Sequence, residues 1–210
     1  MNQMVFRQMS YGVYITTSMD HGRPVGCVSN SNAQVTASPA VFSVSLNHDN
    51  HTTGCIRSSG VFGFTILSEQ SDPALIGRFG FSSSRDTDKF EGIGYDMVQG
   101  VPVVRSGCGY VICRVIGETE TATHTIFLGE VIAAEAFSDE KPMTYSYYHQ
   151  VIRGTSPKTA PTYIAEEATK PEADAPRYVC SICGYEHEGE LPPDFVCPVC
   201  RQGAQVFRKV

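Results

Sequence analysis

No stretch of this sequence stays apolar for the roughly 20 residues that a membrane-crossing helix needs. The first residues, MNQMVFRQMSYGVYITT, lack the basic region and apolar core of a secretory signal. The expectation is a cytoplasmic protein with no membrane partner. Charge is scarce as well, at 18% of residues. Its balance, 16 Lys and Arg against 22 Asp and Glu, leaves a net charge of −6. Nucleic acid and anionic membranes therefore have no long-range reason to bind. The last stretch, 178–210, holds Arg201, Arg208 and Lys209 as its basic residues, too few for a DNA-binding patch. Tryptophan is absent altogether.

What is present is apolar content of 41% in 210 residues, enough for one domain of ordinary size and a small second one. Segments 11–17, 40–46, 61–67, 109–117 and 124–137 read as strands, with glycine and serine punctuating the gaps. In AVFSVSL (40–46) Phe42, Val44 and Leu46 share one face, and Val41, Ser43 and Ser45 the other. Two stretches read as helices: 49–60, opening on a capping Asp or Asn and closing on Gly60, and 71–80, with Asp72 as N-cap and Pro73 at the first helical position. Many strands with short helices between them predict a mainly β barrel over 1–153. From Gly154 the composition turns Pro-rich and poor in apolar residues, which predicts a linker over 154–177 and a small domain over 178–210.

Eight cysteines divide into two groups. Cys27, Cys55, Cys108 and Cys113 are scattered and read as small buried hydrophobes. Cys180, Cys183, Cys197 and Cys200 form two C-x-x-C pairs with 13 residues between them. Each pair puts two thiolates on one tight turn, and two facing turns make a tetrahedral sulfur cage. Such a cage suits iron or zinc, and the ligand set alone does not choose. Gly184 stands where the turn needs positive φ, and Pro198 stiffens the second turn. Tyr178, Tyr185, Phe195 and Phe207 are the candidate aromatic core, and His187 reads as a surface residue.

YVCSICGYEHEGELPPDFVCPVC resembles a rubredoxin domain, with the short spacing found in rubrerythrin tails. Arg201 departs from that pattern, because rubredoxins usually have glycine there, as does the missing tryptophan. The front of the chain resembles flavin reductase-like proteins built on an FMN-binding split barrel. The segments that carry this resemblance are 26–69, 79–93, HTIFLGEV (124–131) and 144–163. The combination is similar to the high-molecular-weight rubredoxins of anaerobic bacteria. That resemblance implies NADH or NADPH as electron donor, FMN and iron as cofactors, a homodimer, and a flavodiiron oxygen or nitric oxide reductase as partner.

The residues suit FMN on their own chemistry. A flavin needs amide and hydroxyl partners and a place for its phosphate. SNSNAQVT supplies Asn30, Ser31, Asn32, Gln34, Val35 and Thr36. NHDNHTT supplies Asn47, Asn50, Thr52 and Thr53 at a predicted helix start, which favours an anion. SSSRDTDK supplies Ser82, Ser83, Arg85 and Lys89 as a phosphate cradle. His124 is expected, from the resemblance, near flavin and nicotinamide as an orienting group. The mechanism expected is transfer from NAD(P)H through FMN to iron and on to a partner, with the linker letting the tail visit both. Two other readings fit these residues: a flavin reductase that releases reduced flavin and keeps a structural zinc tail, and a non-enzymatic redox sensor.

Overall fold

The computed structural model describes residues 3–152, 160–163 and 176–210. Most of the segment expected as a linker lies outside these residues. The chain runs β1 (Tyr14–Asp20), β2 (Arg23–Ser29), β3 (Asn32–Ala37), β4 (Ala40–Asn47), α1 (His51–Ser59), β5 (Val61–Ile66) and α2 (Pro73–Gly80). It continues through a hairpin of β6 (Tyr95–Val98) and β7 (Val101–Val104), then β8 (Gly109–Glu120), β9 (His124–Ala136) and α3 (Tyr145–Gln150). The tail adds β10 (Arg177–Cys180), β11 (Glu186–Glu188) and β12 (Phe207–Lys209).

Seven strands form one sheet in the order β2-β1-β5-β8-β9-β4-β3. Its two edge strands, β2 and β3, are consecutive in sequence and joined by Asn30 and Ser31 alone. That short link brings the two edges together and curls the sheet into a barrel. A polar group marks the seam. Thr16 Oγ1 and Ser29 Oγ are 2.7 Å apart, Ser29 also donates to Asn32 Oδ1 at 2.7 Å, and Asn32 Nδ2 donates back to Thr16 at 3.3 Å.

Inside the barrel Val44, Leu46, Ile56, Phe62, Phe64 and Phe127 pack together, with Cys27 and Cys113 among them. These two cysteines serve as the small hydrophobes that their scatter predicts. Gly129 on β9 allows the close approach: a Cβ there would lie 2.6 Å from both Cys113 Cβ and the Phe62 ring. A second cluster, including Val13, Ile15, Leu67, Ile76, Phe79 and Phe90, seats α2 on the outside of the sheet.

The helix ends follow their caps. Asn50 Oδ1 accepts from Thr52 N at 3.1 Å to open α1, and Gly60, at φ 72°, closes it. Asp72 Oδ1 accepts from Ala74 N at 2.9 Å to open α2. The first expected strand pairs from Tyr14 rather than from residue 11. Strands β2, β3, β6 and β7 of the barrel, β10, β11 and β12 of the tail, and helix α3 have no counterpart in the sequence reading.

Candidate functional site

The tail is a three-stranded sheet, β11-β10-β12, around the four cysteines. Phe195 and Phe207 stack edge to face at 5.3 Å, and Tyr185 lies 6.4 Å from each. His187 joins them by packing 4.5 Å from Phe195, so it is part of this small core rather than a bare surface residue. The two C-x-x-C turns repeat one geometry. Gly184 N donates to Cys180 O, and Arg201 N donates to Cys197 O, both at 2.9 Å. Gly184 has φ 73° and Arg201 φ 57°, which is the conformation that makes glycine usual at both positions.

The thiols face one another. Cys180 and Cys200 sulfurs are 3.5 Å apart, Cys183 and Cys197 sulfurs 3.4 Å, and all four lie within 4.8 Å. A tetrahedral ion with bonds of about 2.3 Å sets its sulfurs about 3.8 Å apart, so the cage fits such an ion. The backbone N–H groups of Tyr185, of Val199 and Cys200, and of Gln202 favour the thiolate forms of Cys183, Cys197 and Cys200. Donors near ligand sulfur stabilise thiolate whichever ion the cage holds, and they tune the potential where that ion is iron.

At the barrel seam the side chains expected to meet a flavin fall into two sets. Asn30 is buried, and its Nδ2 donates to Thr162 Oγ1 at 2.6 Å. Ser31 donates to Asn30 Oδ1, and Asn32 belongs to the seam triad. Asn47 pairs with His124 across β4 and β9. Both line a cavity of about 360 Å³ with Ser45, Thr123, Pro161 and Tyr163. That volume is within the range of small-ligand sites, about 300–1,000 Å³. His124 Nδ1 lies 2.8 Å from Thr123 Oγ1, which fixes the ring's setting at the cavity edge. Asn50, Thr52 and Thr53 open α1, and Thr53 Oγ1 donates to Asn47 O at 2.8 Å. Thr52 is fully buried, beside the Cys27 thiol and off the cavity lining.

Asn47 and His124 are the expected flavin residues that line this cavity; the others, in both sets, lie off it. Gln34, Val35 and Thr36 run along the exposed face of edge strand β3. Ser82 donates to Arg78 O, Ser83 accepts from Arg85 N, and Arg85 is exposed. Lys89 does not join these loop charges. It is buried, and its ammonium donates to Gly26 O and Phe79 O, both at 2.9 Å, tying α2 to β2. Of the histidines without an expected role, His51 pairs with Asp20 at 3.1 Å and His48 with Glu120 at 2.7 Å.

Burial brings Lys89 down from the ordinary 10.5 to about 8, with nearby Cys27 opposing the shift. Between about pH 8 and 10.5 the folded chain sheds this proton while the unfolded chain keeps it. Stability from this group therefore rises with pH across that window, by about 3 kcal/mol. Denaturant titrations of the native chain and a Lys89→Met variant should show the native chain gaining on the variant over that range. A flat difference would put the ammonium in water.

Ala160–Tyr163, which belongs to the 144–163 stretch carrying the resemblance but falls within the expected linker, forms one wall of the cavity and bonds Asn30 through Thr162. The available signal was Tyr163, a lone large aromatic within a Thr- and Pro-rich run.

Comparison with known proteins matches residues 6–156 to the flavin reductase like domain and residues 178–208 to the rubrerythrin, rubredoxin-like domain. A high molecular weight rubredoxin of Moorella thermoacetica is 34% identical over the full length of both chains. A ferric-chelate reductase (NAD(P)H) of Archaeoglobus fulgidus is 38% identical, over 78% of this chain and 98% of that one. Among solved structures, nitrilotriacetate monooxygenase component B of Mycobacterium thermoresistibile superposes with a TM-score of 0.61 at 27% identity. The match covers 68% of this chain and 79% of that one.

Proposed function

The chain belongs to the flavin reductase-like family of oxidoreductases and carries a rubredoxin-like domain behind the barrel. On that premise we propose that it passes electrons from NADH or NADPH through FMN to iron in the Cys180–Cys183–Cys197–Cys200 cage, and on to a protein acceptor such as a flavodiiron reductase. The observation that carries this reading is the four-sulfur cage of a rubredoxin-like domain in the same chain as a flavin reductase like barrel.

When bound, FMN supplies the conversion between hydride and single-electron chemistry, and iron supplies a one-electron carrier. The chain's own residues do the positioning. Asn30, Ser31 and Asn32 offer amide and hydroxyl partners at the seam, and Thr162 holds Asn30 in place. Asn50, Thr52 and Thr53 present the α1 N-terminus to an anionic group. His124, steadied by Thr123, orients the nicotinamide at the cavity edge. Tyr163 and Pro161 form one wall of the cavity. The exposed β3 face, with Val35 at 53% exposure, supports a homodimer in which Gln34 and Thr36 complete the site of a second copy.

The test is the visible spectrum of anaerobically prepared protein before and after NADH. Flavin bands over a red ferric-thiolate spectrum should both bleach. A His124→Ala variant should bleach up to about 100-fold more slowly, as a misplaced reactant does, with its ferric spectrum unchanged. Iron that cannot be loaded in place of zinc would leave a flavin reductase with a structural tail. Failure of both NADH and NADPH to bleach the flavin would leave a redox sensor.

A further inference from the structure

Two residues that break local rules face each other across the boundary between barrel and tail. Gly77 sits inside α2, where glycine weakens a helix. Arg201 holds φ 57° at a position that favours glycine. Both departures are explained by one contact. A Cβ on Gly77 would lie 2.6 Å from Val199 O and 2.8 Å from Cys200 Cα, so the missing side chain admits the second cysteine turn against the helix. Arg201 Nη2 meets Asp72 Oδ2 at 2.6 Å, anchoring the same turn to the cap of the same helix. Phe81 at the end of α2 and Ile152 after α3 pack into the cluster of Cys180, Cys183, Cys197 and Val199. Tyr148 on α3 lies behind them, its phenol pushed up by burial and then by Cys183.

The two turns are equivalent in sequence, C-S-I-C-G and C-P-V-C-R, yet their environments differ. Ile182 and Val199 occupy the same position in each. Val199 is 0% exposed and Ile182 is 46% exposed. The buried turn faces the element that leads back to the barrel: Lys89 ties Phe79 of α2 to Gly26 of β2, and β2 ends at the seam beside Asn30.

We infer that the 197–201 turn docked on α2 is where electrons enter the cage from its own barrel, and that the 180–184 turn, with Ile182 exposed, is the face left for an acceptor protein. This rests on the electron-carrier reading above. The balance is simple. NAD(P)H gives up a hydride, two electrons and a proton, to the flavin. The electrons leave one at a time, each converting ferric to ferrous iron, and the proton goes to water. The acceptor reoxidises the iron between them.

The experiment uses the iron-loaded full chain and three variants. Gly77→Ala improves helix propensity and Arg201→Gly relieves a strained φ, so neither is disfavoured locally. Both should nevertheless release the tail. Small-angle X-ray scattering should show an increased radius of gyration, and NADH should reduce iron about tenfold more slowly while flavin bleaching keeps its native rate. Ile182→Lys should leave both rates native. Unchanged scattering in the first two variants would overturn the docking. Expanded scattering with native iron reduction would overturn its role in electron entry, and slowed iron reduction in Ile182→Lys would overturn the assignment of the two faces. If NADH fails to reduce iron in the native chain, the electron-carrier reading falls, and scattering still decides the docking.

Discussion

Replacing Cys183 with serine should unfold the tail and leave the barrel folded with its flavin. The described tail, 176–210, contains strands of four, three and three residues around one small aromatic cluster. A unit under about 40 residues does not hold itself together by apolar burial alone. The missing free energy comes from the metal, which in zinc-finger peptides supplies about 10–16 kcal/mol. With one thiolate removed, the remaining sulfurs no longer close a tetrahedron. The expected result is loss of the bound metal and rapid protease cleavage after 176, with flavin absorbance and barrel melting nearly unchanged. A tail that stays protease-resistant without metal would show that Tyr185, Phe195 and Phe207 suffice as a core.

The barrel is sensitive at a different point. Phe127 on β9 is fully buried among Val44, Leu46, Ile56 and Phe62. Phe127→Ala should cost about 3–5 kcal/mol, through lost burial and the cavity left behind. For a domain of this size that lowers the melting temperature by roughly 10 °C. The functional consequence follows from position. Phe127 and Ile56 belong to the same cluster, so the cavity loosens the seat of α1, whose first turn carries Thr52 and Thr53. Flavin should dissociate more readily from this variant even below its melting temperature. Equal flavin affinity in the two proteins would mean that α1 is held from its outer face instead.

The parts of the molecule that could be read in the sequence are those specified by neighbouring residues. Asp72 caps α2 as expected, and of the two candidates Asp49 and Asn50 it is Asn50 that caps α1, because a side chain bonding two residues along is a local matter. The sulfur cage was legible for the same reason, since the C-x-x-C spacing is itself the geometry. Strands β2 and β3 were not legible. RPVGCVS carries a proline and a glycine, and in NAQVTA the alternating Ala33, Val35 and Ala37 are small or single and stay exposed on the sheet edge. The β6–β7 hairpin turns on Gln99 and Gly100, both at positive φ, with Gln standing where Asn or Asp would signal such a turn. Lys89 reads as a loop cation because its partners, Gly26 O and Phe79 O, come from distant elements. The docking of the tail was equally hidden: nothing near Gly77 in sequence announces Val199.

The link of Asn30 and Ser31 has one further consequence. These residues join the first and last strands of the sheet, so a ligand they hold lies across the clasp of a bracelet. Anything bound to the closed form alone resists its opening in proportion to its affinity. At this clasp, grip on the cofactor and resistance to unrolling are a single property. A substitution that tightens one tightens the other, and a barrel that begins to unroll lets its cofactor go before any residue that handles electrons has changed.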